Sequence, residues 1–306
     1  MPRARTTEYR DLSGPPTRGR TGARAARAAE PPVLLIMGTG ASMLWWPEDF
    51  CRTLAEAGRF VIRYDHRDTG LSTTYPPGDP GYTGDDLVDD AVAVLDAYEL
   101  DAAHLVGVSA GGAMAQLAAI DHPERVLSLV LISTSPAVAT GRGLPPPTDH
   151  FTRFFAGAPV VDWSAPESVI DHRVQYALML AGSEQPLEEA QVRELVRGDV
   201  ERARDFAAAR NHDHLPEGGR DRGPLSAIEA PTLVVHGTAD PMFPIEHGKA
   251  LADITTKHWP DATKRTDDER EIVVMADGAI ALDRLLPIVA AVRASFPNVQ
   301  LSSGFE

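Results

Sequence analysis

The sequence predicts an α/β chain: a mainly parallel sheet flanked by helices, interrupted once by a helical insertion. Three features lead there. Short continuous apolar runs alternate with stretches of helical period, as expected of strands buried on both faces and joined by crossover helices. The apolar run 104–108 passes through Gly107-Val108-Ser109-Ala110-Gly111 directly into a small-residue helix. That bend puts a serine at its apex. The alternation then stops between about residues 141 and 223, where only helical periodicity is found.

In chain order, 1–31 reads as an Arg-rich leader, with a weak strand over 6–12 and loop over 13–30. It lacks the apolar centre of a secretory signal. Residues 32–37 form a continuous apolar run and predict the first buried strand, followed by the tight loop Gly38-Thr39-Gly40. A helix is expected over 48–57, a strand over 60–64 and a polar turn over 65–72. Residues 85–98 give the clearest amphipathic helix: Leu87, Ala91, Val94, Leu95 and Tyr98 recur at helical spacing behind the cap residue Thr83. Strands follow at 105–108 and 126–133. The insertion, 141–223, opens on Pro145-Pro146-Pro147 and closes on a Gly- and Arg-rich stretch. Its interior predicts helices over 167–180, 187–197 and 200–210. A strand over 232–236, a helix over 246–254, a strand over 271–275 and a helix over 280–296 complete the pattern, with 298–306 as a tail. The expected division is therefore a core of 32–140 and 224–297 with the helical cap 141–223 between its halves.

Composition narrows the partners. The 306 residues carry a net charge of −15, which argues against nucleic acid and against an anionic membrane surface. No run approaches the ~18 apolar residues of a spanning helix. Cys51 is the one cysteine, so no internal disulfide exists and a cytoplasmic setting is expected. A small molecule is the expected partner; the oligomeric state is left open.

Ligand sites in parallel sheets form beyond the carboxyl ends of the strands. Three loops leaving those ends carry chemistry: 38–41, 109–112 and 237–241. Ser109 at the bend is the candidate nucleophile. A serine hydroxyl needs a base to take its proton, and that base needs a carboxylate to hold its tautomer. Asp240, in His236-Gly237-Thr238-Ala239-Asp240-Pro241 after an apolar strand, is the candidate acid. The Ala110 N–H at the helix start and the Thr39 N–H in the glycine loop are candidate oxyanion donors. Asp65 and Arg67 read as a turn bracing two loops. His212 and His214 have the spacing of paired metal ligands but no accompanying cluster, so neither metal nor cofactor is expected.

The base is the difficulty. It belongs after the last strand, yet residues 274–282 contain no histidine. Beyond Asp240 only His247 and His258 remain. His247 falls in the helix after the acid loop and His258 in an irregular stretch; both read as surface histidines, with His258 the fallback base.

Together, Leu35-Ile36-Met37-Gly38, Trp46-Pro47-Glu48-Asp49-Phe50, 63–72, Gly107-Val108-Ser109-Ala110-Gly111-Gly112 and 236–241 resemble the α/β-hydrolase family. Within it they are most similar to the aclacinomycin methylesterase group, which acts on anthracycline polyketides. The resemblance covers about 32–137 and 205–292. It implies hydrolysis of a carboxylic ester of a bulky apolar small molecule through an acyl-serine, with a polyketide methyl ester as one such substrate. Trp45, Trp46, Phe154, Phe155, Trp163 and Tyr176 are then candidate pocket residues. Family members carry Gly-His after the last strand, with a Pro nine residues beyond the Gly. Here Gly278 and Pro287 keep that spacing, and Ala279 stands where the base would be. An impaired hydrolase is one consequence; a non-catalytic ligand binder, or a cofactor-free lyase or cyclase on the same fold, are the alternatives.

Overall fold

A computed structural model of the chain describes residues 32–255 except 57–58, 142, 158, 182–186, 217 and 238, together with 273–275. The expectations for 1–31, the helix over 280–296 and the tail 298–306 lie outside these residues, as do Ala279 and His258.

Among the described residues six strands make one parallel sheet: β1 (Pro32–Ile36), β2 (Phe60–Arg63), β3 (Ala103–Val108), β4 (Val126–Ile132), β5 (Thr232–Gly237) and β6 (Val273–Met275). Their spatial order is β2-β1-β3-β4-β5-β6. The chain reverses direction across the sheet between β1 and β3, the place in a parallel sheet where ligand sites form. The strands are apolar throughout because both faces are covered. Leu34, Ile36, Leu105, Leu129, Leu131 and Val234 pack against α2 (Gly84–Ala97), α3 (Ala110–Asp121) and α7 (Glu246–Thr255). Their alternates Val33, Leu35, Val106, Ile132 and Val235 pack on the other side with Trp46 and with Phe50, Cys51 and Leu54 of α1 (Glu48–Glu56). Each such fully buried side chain contributes about 1.5–3 kcal/mol. Trp46 is thus a core residue stacked on Phe50, not a pocket residue.

Helix α2 starts at Thr83 as expected. The Asp86 carboxylate accepts from both the N–H (2.8 Å) and the hydroxyl (2.9 Å) of Thr83, which satisfies a donor otherwise exposed at the helix entry.

Between β4 and β5 the chain builds α4 (Asp149–Gly157), α5 (Pro166–Leu180), α6 (Glu189–Arg202) and a 3-10 segment, Phe206–His214. Two expectations change here. Helix α4 was not expected from the sequence: the Thr148 hydroxyl, accepting from the Phe151 N–H, starts it shortly after the prolines. The separate helices over 187–197 and 200–210 become one α6 and a 3-10 run. Val192 and Val196 pack on α5, the buried Asp199 holds Trp45, and the helix runs unbroken to Arg202. Asp205 then restarts the chain by accepting from the Ala207 N–H. Ile170, Val174, Ala177, Val192 and Val196 form a small core of their own, against which Trp45 is packed. Among the described residues no helix is long and apolar enough to cross a membrane.

Candidate active site

β3 ends at Val108, and the Ser109 N–H still bonds across the sheet to Ile132 O (3.0 Å). The chain then turns at once into α3, with Ser109 at φ 54, ψ −123. An L-residue occupies this region only under strain, of order 1–3 kcal/mol. The flanking glycines make the turn possible. A Cβ on Gly107 would overlap the Gly111 backbone, and one on Gly111 would overlap the carbonyls of Ile36 and Met37. The carbonyl of Ser109 takes the Thr134 hydroxyl (2.7 Å) as well as the first helical amides. Its Oγ has no hydrogen-bond partner among the described residues.

The loop after β1 lies against this bend, since a Cβ on Gly38 would come within 3.1 Å of Ser109 Cβ and 3.7 Å of its Oγ. Neither the Thr39 N–H nor the Ala110 N–H has an acceptor among the described residues. Two open amides beside a strained serine at a helix N-terminus can receive a developing negative charge.

Asp240 lies beyond β5, two strands from Ser109, or about 10 Å across by strand spacing. Its Oδ1 accepts from the amides of Met242 (2.9 Å) and Phe243 (2.8 Å), which fixes the carboxylate in its turn. Its Oδ2 is 3.8 Å from His236 Nε2, too long for a hydrogen bond, and that nitrogen meets Phe243 O at 2.6 Å instead. Among the described residues no group hydrogen-bonds to Oδ2. The carboxylate's charge is felt by Tyr176 of α5: burial raises the phenol pKa, Arg173 opposes the rise, and the charges of Asp213 and Asp240 add to it.

His247 is not a surface histidine. It is buried on α7, with Nδ1 2.8 Å from Ser135 Oγ and Nε2 2.9 Å from Pro145 O. Both nitrogens are engaged, so it serves as a brace between loops. Every histidine except His258 is among the described residues, and none of those bonds to Ser109 Oγ.

The insertion is tied to the strand-end loops by contacts that local sequence does not signal. Buried Asp65 accepts from the amides of Met43 and Leu71 and is gripped by Arg202 of α6 at 2.6 and 3.1 Å. It does not pair with Arg67, which instead forms a fork with Asp90. Asn211 donates to Asp68 (2.9 Å) and accepts from the Gly78 amide, while Trp45 donates to Asp199 (2.8 Å). His212 touches Gly40 and Arg67, and Arg173 touches Gly40. The two His212 nitrogens are thus occupied. Among the described residues no three His, Cys, Asp or Glu side chains gather as a metal site.

A serine at a strained strand-to-helix bend with the loop after β1 packed on it, and a carboxylate in the turn after β5, two strands away, is the arrangement of an α/β hydrolase. The family described as "alpha/beta hydrolase fold" matches residues 31–275, and the chain belongs to it. Within the family it is similar to the rhodomycin D methylesterase of Streptomyces sp. (strain C5), 35% identical over 245 residues, which cover 74% of this chain and 80% of that one. It is also similar to the rhodomycin D methylesterase of Streptomyces peucetius, 34% identical over the same shares. A solved hydrolase from Pseudomonas aeruginosa PA01 shares the fold at 24% identity, with a TM-score of 0.54 over 89% of this chain and 90% of that one.

Proposed function

We propose that the protein is a carboxylic-ester hydrolase for a bulky apolar small molecule, of the polyketide methyl ester class, acting through an acyl-Ser109 intermediate. The observation that carries this is the strained Ser109, set between two glycines and against the open Thr39 and Ala110 amides. Ser109 Oγ attacks the ester carbonyl, and the N–H groups of Thr39 and Ala110 hold the oxyanion. Collapse breaks the ester C–O bond, the leaving oxygen takes up by way of solvent the proton that Ser109 gave up, and water then adds to the acyl-serine, releasing the acid and returning a proton to Ser109. Asp240 is the orienting carboxylate of this reading. The similarity to rhodomycin D methylesterases supports the substrate class. Residues 141–223 are the cap over the site. Phe154, Phe155, Trp163 and Tyr176 supply its apolar wall, and Trp45 is tied into the cap. The protein works in the cytoplasm and uses no cofactor.

Ala279 in the position of the base makes the native protein a slow esterase. Loss of the base leaves oxyanion stabilisation and binding, roughly 10³–10⁴ over water. The test is Ala279→His with a nitrophenyl ester. Activity is expected to rise at least tenfold, about 1.4 kcal/mol in barrier, and to gain a basic limb near the ordinary histidine pKa of about 6.5. A fast native enzyme abolished by His258→Ala would move the base to His258. Absence of turnover in both proteins, with an apolar ligand still bound, would favour the ligand-binding alternative.

A further inference from the structure

We propose that His212, with Arg173 beside it, is a positioning residue: from the insertion it sets the conformation of the Gly38–Ala41 loop that carries the Thr39 amide. This rests on the reading of that amide as an oxyanion donor.

The Gly40 N–H donates to His212 Nδ1 at 3.0 Å, and the Gly40 carbonyl accepts from Arg173 Nη2 at 3.0 Å. Both peptide planes flanking Gly40 are therefore held by side chains more than a hundred residues away in sequence. Gly40 is left-handed at φ 62, and the 3-10 segment packs directly on it: a Cβ there would lie 3.3 Å from Ala209 O. Two residues earlier, the Gly38 carbonyl accepts from the Ala41 N–H at 3.4 Å, closing the turn. In a trans peptide the N–H points opposite to the carbonyl, so the Thr39 N–H faces out of that turn. If the Thr39–Gly40 plane is released, the turn and the direction of the Thr39 amide go with it.

Both His212 and Arg173 are held in place. His212 Nε2 lies 2.8 Å from Arg67 O, so Nε2 carries the proton and Nδ1 is free to accept. The Arg173 guanidinium lies 5.7 Å from the centres of both the Tyr176 and Phe206 rings. The two ring nitrogens of His212 thus do separable jobs, Nδ1 on the site loop and Nε2 on the neighbouring turn.

That separation supplies the test. Asn places its carbonyl oxygen where Nδ1 lies, and Gln places its amide nitrogen where Nε2 lies. His212→Ala and His212→Gln are expected to lower kcat on a nitrophenyl ester at least tenfold, with KM within twofold, and Arg173→Met to lower kcat in the same direction. His212→Asn is expected to recover kcat to within about threefold of the native value. Hydrogen exchange of the Gly40 amide, read by NMR, should accelerate in the Ala and Gln variants and not in the Asn variant. If Gln recovers kcat and Asn does not, or if all three His212 variants leave kcat and Gly40 exchange unchanged, the proposal is overturned. A native protein without turnover that still shows the exchange pattern overturns the esterase reading and leaves the role in holding the loop standing.

Discussion

The strain at Ser109 gives an unusual expectation for stability. Its backbone sits at φ 54, ψ −123, at a cost of order 1–3 kcal/mol for any residue with a Cβ. Ser109→Ala keeps that cost. It loses little else, because the hydroxyl has no hydrogen-bond partner among the described residues. Ser109→Gly removes the strain but adds the backbone entropy of glycine, about 0.5–1 kcal/mol relative to alanine. The difference leaves Ser109→Gly more stable than Ser109→Ala by about 1 kcal/mol, the reverse of the usual order. Urea unfolding of the two variants at one pH, followed by tryptophan fluorescence, measures the gap without reference to activity. A Ser109→Gly variant equal to or less stable than Ser109→Ala would refute the strain account, and with it the idea that the fold holds the serine against its own backbone preference.

Three further expectations follow from the buried contacts. Arg202→Met leaves the Asp65 carboxylate, only 3% exposed, without its guanidinium; unfolding should become easier by about 3 kcal/mol in urea titrations. Burial and the nearby His212 push the His66 pKa down to about 4. Folded His66 therefore stays neutral where the unfolded side chain takes a proton, so this contribution is complete above about pH 6.5 and is lost as the pH falls toward 4. Its size is of order 3 kcal/mol, and His104, also held near 4, first by burial and then by Arg59, acts in the same direction. His66→Gln keeps a donor for Met37 O and should flatten the fall in urea midpoint between pH 7 and pH 4.5. Phe154→Ala or Trp163→Ala should alter the preference between short and bulky nitrophenyl esters more than it lowers Tm; an unchanged preference would remove these rings from the site.

Much of the architecture was legible because it rests on local signals. The strands β1, β3, β4 and β5 are short apolar runs, and the motif around Ser109 announces its own bend through glycines whose replacement would clash. Asp240 was picked out by its place after the apolar run 232–236, and its turn contacts are local, to the amides of Met242 and Phe243. What was not legible depends on distance along the chain. His212 showed only a spacing to His214 that led to no site, and only the fold brings Gly40, 172 residues away, onto its Nδ1. Trp46 was one candidate pocket aromatic, yet packing against Val33, Leu35 and Phe50, from separate elements, places it in the core. Within the insertion, helical period marked apolar faces but not breaks. The join of 187–197 to the residues after it, and the 3-10 turn after Arg202, are decided by Asp199 and Asp205 rather than by hydrophobic spacing.

The four helical pieces of the insertion are not equally committed to the fold. α5 and α6 carry its small core, and α6 and the 3-10 segment carry the ties to Asp65, Asp68 and Gly40. α4 has no fully buried residue, and its aromatic side chains Phe151, Phe154 and Phe155 meet mainly each other and Tyr176. Replacements along α4 therefore draw on little of the molecule's stability reserve. Over generations such a helix is free to drift, while the parts that hold the reacting groups stay under constraint. A diversified library confined to Phe151, Phe154 and Phe155 should return a high fraction of folded proteins with altered ester preference. The same diversity spread over Arg202, Asn211 and His212 should return mostly unfolded or silent ones.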